Sequence, residues 1–581
     1  MPEFDEPIDD YESFFRDEHA RNVTEYFEDL VRESGVDEQL NIETVAELRS
    51  LEQNVSSTSS SRRWWKAGRI FAIIAAVGLV ALAITMQSFY YLGIAPAIAL
   101  VVLVFMKVNP AISQLNEKVA EFEKLRDAKS DQAWVQMAPL NELYSWDMAA
   151  KLFMKTFPLM TLDGFFSSER LADLTNNYGL SPAFNEGRSV FIAQSGAFKD
   201  NPFVIARYKE HWMGSKTYVG SIVIQWVESV RDAQGNWVNV QRTQTLTASV
   251  VKPFPEYQVR STIIYGHEIA PNLSFTRGPS NLSGLEDGFM NNRRKESAIK
   301  KIEKKARKDI KTGSGDLTVM SNKEFEALFN ATDRDHEVEF RLLFTPLAQQ
   351  EMVRLLNDKN VGFGDDFTFN KSGMVNFVEP QHLANVELAV DLNRFKSQEL
   401  ASARAFFNNF HNRYFKSMYF GFAPLWTIPM YREKRTMSLR SERSSDSSFW
   451  EHEGIANAMG QEHFRHPESV TENILKTSAS GSGSTKNVTV TAYGYEGIPR
   501  TDIIPMLGGD GNMHPVPVHW IQYIDVSQST TMVVGAVSNN VHDNDSDDEE
   551  LGRNWKSAMS KNGIAPEDVA YRGVLAAVLL R

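Results

Sequence analysis

The most restrictive feature of the sequence is an uncharged, mostly apolar run of 37 residues, from Ile70 to Met106. A helix that crosses a bilayer needs about 20 mostly apolar residues, with a lower limit near 17. The run is therefore long enough for two short spans, at about 70–87 and 89–107. A Gln-Ser break followed by three aromatic residues separates them, which is typical of a turn at the membrane interface. The run predicts a hairpin of two transmembrane helices.

Small and aromatic side chains support this prediction. Ala72 and Ala76 form a small-xxx-small pair, which lets two membrane helices approach closely. The side chains expected at the membrane interface are Trp64, Trp65, Tyr90 and Tyr91. The alternative is a helical hairpin buried in a soluble core, which requires a core that covers both helices on all sides.

Basic residues flank both ends of the run, whereas the turn between the spans carries no charge. By the positive-inside rule, both ends of the hairpin then face the cytoplasm. The expected location is the cell membrane, with two spans and with the N- and C-termini in the cytoplasm. The acidic start of the chain does not resemble a signal peptide. The flanking residues are Arg62, Arg63, Lys66 and Arg69 on one side, and Lys107, Lys118, Lys124 and Arg126 on the other.

Charge is unevenly distributed along the 581 residues. The first 54 residues hold 17 acidic and 4 basic side chains, which accounts for the whole net charge of −13. An acidic protein is a poor nucleic-acid binder, so we expect no nucleic-acid partner. The absence of cysteine excludes disulfides, thiolate catalysis and cysteine metal sites. No motif indicates a cofactor.

The periodicity of apolar residues predicts a membrane-anchored α+β protein. Apolar spacings of three and four predict an amphipathic helix over 9–34 that Gly35 ends, and Thr44 is expected to cap a second helix. The Ser-rich stretch 55–61 is expected to be a flexible linker. The predicted parts are an acidic helical region (1–60), the transmembrane hairpin (61–111), a helical stalk (112–185), an antiparallel β-rich domain (186–290), a basic amphipathic helix (291–315), an α+β domain with a long helix (316–440), a polar linker (441–485) and a small C-terminal α+β domain (486–581).

Within these parts, several shorter segments have definite predictions. A long β-hairpin is expected around a turn at 232–236, and 338–344 and 386–390 read as strands. The apolar stretch 418–431 is too short and too proline-rich to span a membrane, so it is either core or an interfacial patch. The end of the chain, from Pro566, reads as a helix.

One segment, 293–311, is strongly basic, with ten basic and three acidic side chains. Its thin apolar stripe, Ile299, Ile302, Ala306 and Ile310, predicts an amphipathic helix. Such a helix is expected to contact anionic headgroups or a protein partner, and a solvated linker helix is the alternative. The segment lacks the interleaved aromatic residues of single-strand nucleic-acid binders. The candidate contact residues are Arg293, Arg294, Lys295, Lys300, Lys301, Lys304, Lys305, Arg307, Lys308 and Lys311.

Three histidines are the candidate metal ligands: His452, His463 and His466. His463 and His466 are one helical turn apart, so both rings could face one ion. Against a metal site, the region is polar and lacks the two-histidine, one-glutamate arrangement of zinc proteases. His514 and His519 are better explained by a proline-rich strand edge. The acidic stretch 543–550 imitates a calcium loop without its required glycine, so a solvated loop is expected there.

A resemblance to a known family adds to this interpretation. Lys323–Asp358 is similar to a segment of an uncharacterised bacterial membrane-protein family, known only as a domain of unknown function, with two N-terminal membrane helices before a soluble α+β region. The resemblance covers about 60–400, and implies a bacterial source and the same order of parts but no activity and no catalytic residues. The matching residues are Phe325, Phe340, Leu343, Thr345 and Pro346.

The sequence therefore favours a non-enzymatic membrane-anchored scaffold or binding protein with cytoplasmic domains. Its expected partners are the lipid bilayer and either another protein or a second copy of itself. Pairing of the acidic N-terminal helix with the basic segment 293–311 is one route to self-association. Two alternatives stay open: a membrane-bound metal-dependent hydrolase that uses the three histidines, and a subunit of a larger transport or secretion complex.

Overall fold

The chain forms two compact units in a computed structural model, and each unit combines distant parts of the sequence. Unit 1 comprises Met1–His19, Trp146–Val390 and Asn412–Arg581, and unit 2 comprises Ala20–Ser145 and Asp391–His411. The structure describes residues 6–85, 90–231, 233–285, 289–312, 317–386, 388, 391–435, 446–480, 485–536, 569–571 and 575–580.

Helices form most of unit 2 and also occur in unit 1. Their bounds are α1 (Pro7–Asp10), α2 (Arg16–Ser34), α3 (Glu38–Thr85), α4 (Tyr90–Leu103), α5 (Asn109–Leu143), α6 (Met148–Thr156), α7 (Ser168–Asn176), α8 (Phe289–Thr312), α9 (Lys323–Phe329), α10 (Glu337–Leu343), α11 (Pro346–Asn357), α12 (Leu400–Trp426) and α13 (Phe449–Met459).

All strands among the described residues belong to unit 1, and they pair antiparallel in two sheets. The first sheet has the order β1-β2-β3-β4-β7-β6-β5, and the second has the order β11-β12-β10-β9-β8. The strands are β1 (Met160–Leu162), β2 (Arg188–Phe198), β3 (Asn201–Arg231), β4 (Trp237–Gly266), β5 (Ser274–Arg277), β6 (Phe367–Ser372), β7 (Val375–Pro380), β8 (Ile474–Ser480), β9 (Thr485–Leu507), β10 (Met513–Ala536), β11 (Val569–Tyr571) and β12 (Leu575–Leu579).

Unit 2 is built on a long helical hairpin. Helix α3 has 48 residues, which corresponds to a length of about 72 Å, and it packs against the continuous run of α4, a π-helical turn at Val104–Val108, and α5. In the apolar half, Val104, Val108 and Ile112 are buried against Ala72, and Ala76 is buried as well. The small pair at 72 and 76 thus faces the partner helix, as predicted.

The half of the hairpin away from the apolar run has a polar surface and packs against neighbouring segments of unit 2. Phe27 and Tyr144 pack on Phe407, and Arg404 forms ion pairs with Glu28 and Glu38. These contacts use part of the acidic N-terminal face. Two local predictions are wrong here. The Ser-rich stretch 55–61 is helical, and α3 begins at Glu38, so Thr44 lies inside the helix and caps nothing.

The seven-stranded sheet of unit 1 joins strands from three predicted parts of the chain, because β1 lies in the predicted helical stalk (112–185), which is therefore not entirely helical. Strands β2 to β5 come from the predicted β-rich domain, whereas β6 and β7 come from the predicted α+β domain. The predicted β-hairpin is confirmed, because β3 ends at Arg231 and β4 begins at Trp237. The segment 338–344, predicted as a strand, lies mostly in helix α10. Val386 and Leu388 are not in a strand, and the rest of 386–390 lies outside the described residues.

The five-stranded sheet occupies the C-terminal part, where two predictions are wrong. In the predicted polar linker 441–485, α13 and β8 contribute to the core, with Ile455, Ala456 and Leu475 buried against β9 and β10. In the C-terminal segment predicted to be a helix, the described residues form β11 and β12. The mixture of small and apolar residues there is compatible with a helix or a strand. The segment forms a strand because β12 pairs with β10.

The N-terminal residues of unit 1 contribute to an aromatic core. Tyr11 packs on Tyr419 and Phe420, and Phe15 packs on Phe157 and Tyr419. The stretch 418–431 is almost entirely buried, so of the two predicted alternatives it is core.

Candidate interaction surfaces

The basic segment forms helix α8, which is held against unit 1 by its apolar side. Ile302 and Ala306 are buried, and α8 contacts α9. Two ion pairs join the helix to the adjacent segment: Lys295 Nζ lies 3.0 Å from Glu324 Oε1, and Lys323 Nζ lies 3.1 Å from Glu303 Oε1. The apolar stripe predicted from the sequence is therefore already used for packing within unit 1.

The opposite side of α8 is exposed and basic. At 100° per residue, nine of the ten predicted contact residues lie within an arc of about 160°, and no acidic residue falls within that arc. Lys295 lies outside the arc and pairs with Glu324, and Lys305, at one edge of the arc, donates hydrogen bonds to the carbonyl oxygen and the hydroxyl of Thr332. We call this surface the outer basic face. Its residues are Arg293, Arg294, Lys300, Lys301, Lys304, Lys305, Arg307, Lys308 and Lys311.

A second surface is formed by two long β-ribbons. Beyond Glu210, β3 pairs with β4 alone, and β9 and β10 form a second ribbon. The ribbons pack face to face through a small core of Ile224, Leu246, Ala248, Val516 and Val518. Their backbones approach closely, since a Cβ atom at Gly220 would clash with the carbonyl oxygen of Pro517.

The other face of the β3–β4 ribbon is exposed. None of the side chains on this face is charged over 219–227 of β3 and 241–251 of β4. Val223 is 63% exposed and Val227 is 65% exposed, although valine normally contributes to a core. We call this surface the ribbon face. It consists of Val219, Ser221, Val223, Gln225, Val227, Gln241, Thr243, Thr245, Thr247, Ser249 and Val251.

A third surface is the apolar half of the unit 2 hairpin. Two helical stretches, Glu38–Leu82 and Ile94–Leu143, are long and apolar enough to cross a membrane, and only 6% and 17% of their most apolar windows are buried. Trp64 is 78% exposed and Trp65 is 44% exposed. Of the other predicted interface residues, Tyr90 and Tyr91 begin α4.

The three predicted metal ligands lie in different surroundings. His452 is buried in α13, where its Nε2 atom lies 2.9 Å from Ser447 Oγ. Burial lowers the pKa of His452 to about 4. His463 and His466 are partly exposed, next to Glu462 and Glu468.

No metal site emerges from these positions. Among the residues that the structure describes, no group of three or more His, Asp or Glu side chains is arranged to hold a metal ion. His514 binds Asp510 in the turn between β9 and β10, and His519 binds Thr501 across the ribbon. The stretch 543–550 lies outside the described residues.

A cleft with a volume of about 410 Å³ lies on the seven-stranded sheet. Its charged groups already have partners: Arg188 binds Glu210, Glu379 binds Arg260, and Asp333 accepts hydrogen bonds from Thr276. With its polar groups satisfied in this way, the cleft offers little for recognising a ligand.

Sequence reasoning missed several buried charged groups of unit 1. Burial lowers the pKa of Lys371 to about 7, and its Nζ donates to the carbonyl oxygens of Ile269 and Gly373. Glu453 is buried in α13, where it accepts hydrogen bonds from Asn185 and Val190 and pairs with Lys476. Because these partners are distant in sequence, no local motif could have indicated them.

Comparison of the chain with models of known protein families, with curated proteins and with solved structures finds no match. The resemblance to the two-helix membrane family therefore stays a prediction.

Proposed function

We propose that this protein is a membrane-anchored scaffold that presents unit 1 to a protein partner in the cytoplasm. The observation that carries the proposal is the exposure of the apolar half of the unit 2 hairpin. A helical hairpin in a soluble core would be covered on all sides, whereas Phe71, Ile74 and Val77 are 64–74% exposed. A bilayer would remove these side chains from water.

The internal packing of the hairpin also supports an anchor. Its buried seam contains the small residues Ala72, Ala76 and Ala97, and helices in lipid associate through such residues because lipid provides no hydrophobic driving force between them. The orientation rests on the flanking basic residues, which favour the cytoplasmic side. Both flanks belong to unit 2.

The ribbon face is the proposed site for the protein partner. Exposed, uncharged β-branched side chains over two paired strands are rare on a monomer surface unless they serve an interface. The polar members of the face are hydroxyl and amide side chains, which can hydrogen-bond to a partner without the cost of burying a charge.

Cysteine labelling tests the anchor and its orientation, because the native chain has no cysteine. Single variants Ser57→Cys, Tyr91→Cys and Ser229→Cys are expressed in intact cells and treated with a membrane-impermeant thiol reagent. Labelling of the position-91 variant alone is expected. Labelling at 57 and 229 in intact cells would show that the orientation is reversed. If none of the three variants is labelled until the cells are lysed, position 91 is not outside.

Affinity purification in mild detergent tests the partner site. A Val223→Lys/Val227→Lys variant is expected to lose the partner that the native chain retains, whereas Lys216→Glu/Arg231→Glu, exposed on the same ribbon, serves as a control for charge change. Retention of the partner by the valine variant would exclude the ribbon face. Stoichiometric recovery of other membrane proteins would instead identify a subunit of a larger complex.

A further inference from the structure

The outer basic face of α8 is the strongest concentration of like charge on the described surface of unit 1. The nine basic side chains extend over about 27 Å of helix. Glu296 and Glu303 lie outside the basic arc, and Glu303 forms an ion pair with Lys323. Natural solvated helices usually alternate charges along an exposed face, and this one does not.

The apolar side of α8 is committed to unit 1, which limits how the helix can meet a partner. An amphipathic helix that inserts into a membrane buries its apolar side between headgroups and acyl chains. Here Ile302 and Ala306 are buried inside the protein, and the Lys295–Glu324 and Lys323–Glu303 pairs flank that contact. Only the basic side is available, so the contact would be electrostatic and superficial.

From this geometry we infer that the outer basic face docks unit 1 onto a bilayer surface rich in anionic phospholipid, without inserting into it. Juxtamembrane clusters of Lys and Arg bind the anionic cytoplasmic leaflet within a Debye length of the surface. The inference deepens the proposed function and rests on it, because the anchor keeps unit 1 close to a membrane.

The docking would have a specific consequence for salt and lipid dependence. Because no apolar side chain enters the bilayer, docking should require anionic lipid and should be lost at high ionic strength. An inserting helix would keep part of its affinity in both conditions.

A fluorophore in the middle of the face tests this inference. Ser297 is exposed within the basic arc, and Ser297→Cys adds the only thiol of the chain. The labelled full-length protein is reconstituted in nanodiscs that carry a headgroup-linked quencher, with either phosphatidylcholine alone or 30% phosphatidylserine. At least twofold stronger quenching is expected with phosphatidylserine at 0.15 M NaCl, and it should disappear at 0.5 M NaCl.

Charge reversal provides the matched comparison. Lys300→Glu/Lys301→Glu/Lys304→Glu is expected to abolish the lipid-dependent quenching, whereas Lys216→Glu/Arg231→Glu/Arg242→Glu on the β3–β4 ribbon should leave it intact. Quenching that is equal in both lipids, or that persists at high salt, would overturn the inference.

Two further measurements separate other outcomes. The first uses a fluorophore at Ala81→Cys, on the exposed side of α3. Quenching of this fluorophore by an acyl-chain quencher reports insertion of the hairpin, so failure of the proposed anchor is detected independently of α8. The second measurement is iodide quenching of the label at 297 in detergent. If the label is shielded from iodide, and neutralising Asp547, Asp548, Glu549 and Glu550 exposes it, the acidic stretch of the chain itself covers the outer basic face. That result would show that the inference is wrong.

Discussion

Ser447 Oγ lies 2.9 Å from Nε2 of His452, and both residues are buried in unit 1. Nδ1 of the same ring has no hydrogen-bond partner among the described residues. A protonated imidazole in this position would be desolvated without a counter-charge, which explains the low pKa of His452.

This histidine makes the stability of unit 1 depend on pH. The pKa values of His452 and His267 are both lowered to about 4 by burial, whereas the unfolded chain titrates near 6.5. The unfolded state therefore binds more protons between these values, and stability falls as the pH drops from 6.5 to 4, by about 3 kcal/mol per histidine. Thermal unfolding in detergent at several pH values measures this loss. His452→Asn should reduce the pH dependence by about half, and an unchanged slope would contradict the assignment.

A buried ion pair should dominate the stability of the α9–α10 region. Arg334 and Glu326 are each about 1% exposed and 2.8 Å apart, and Glu326 also accepts a hydrogen bond from the backbone of Met320. Glu326→Gln leaves a buried guanidinium without its main counter-charge, so a loss of about 3 kcal/mol in the free energy of unfolding is expected.

The neighbouring Glu324 supplies the control for this prediction. The Glu324 side chain is 45% exposed in its pair with Lys295, so Glu324→Gln should cost less than about 1 kcal/mol. Denaturant titration of both variants measures the loss in the free energy of unfolding. Equal losses for the two variants would show that burial does not determine the contribution of the ion pair.

Adjacent residues of the hairpin should respond oppositely to the same substitution. Ala76 is 5% exposed and faces the partner helix, whereas Val77 is 64% exposed. Ala76→Phe cannot fit the close seam between the helices, so it should lower the yield of folded protein and separate the helices. Val77→Phe should be tolerated, because its side chain faces the bilayer in the proposed anchor. Disulfide cross-linking of cysteines placed across the seam measures helix proximity in each background.

The contact between the two ribbons should depend on one glycine. A methyl group at Gly220 would meet the backbone of Pro517, and backbone cannot move aside as a flexible side chain can. Gly220→Ala should therefore destabilise the ribbon pair by about 1–3 kcal/mol. Gly278 has open space around its Cβ position, so Gly278→Ala is the control. Faster hydrogen exchange in β3 and β10 of the first variant alone would confirm the contact.

Local patterns predicted those elements whose apolar residues follow one clear period. The hairpin turn after Arg231, the helix α8 and the small seam at Ala72 and Ala76 are examples, because each depends on residues close in sequence. Helix α10 was predicted as a strand since Val338, Phe340 and Leu342 alternate with charged residues. The packing of Phe340 against Phe325 and Phe344 in the folded unit favours the helix instead.

The linear domain plan failed for a different reason. Strands β6 and β7 complete a sheet that begins more than 100 residues earlier, and the predicted linker supplies α13 to the core. Such pairings depend on tertiary contacts between distant segments, which no single periodicity reveals. The basic helix could be predicted from residues close in sequence, whereas the pairing of Lys295 with Glu324, 29 positions away, could not.

The packing of Tyr11 and Phe15 on Tyr419 has a consequence for biosynthesis. The two halves of this aromatic core are separated by about 400 residues, and at roughly 5–20 residues per second the ribosome needs about 20–80 s to reach the second half. During that interval the apolar hairpin has already been synthesised. The N-terminal segment must therefore wait, with its aromatic side chains uncovered, until translation of the distant helix gives it a partner, and chaperones that act on nascent chains have that time in which to bind it.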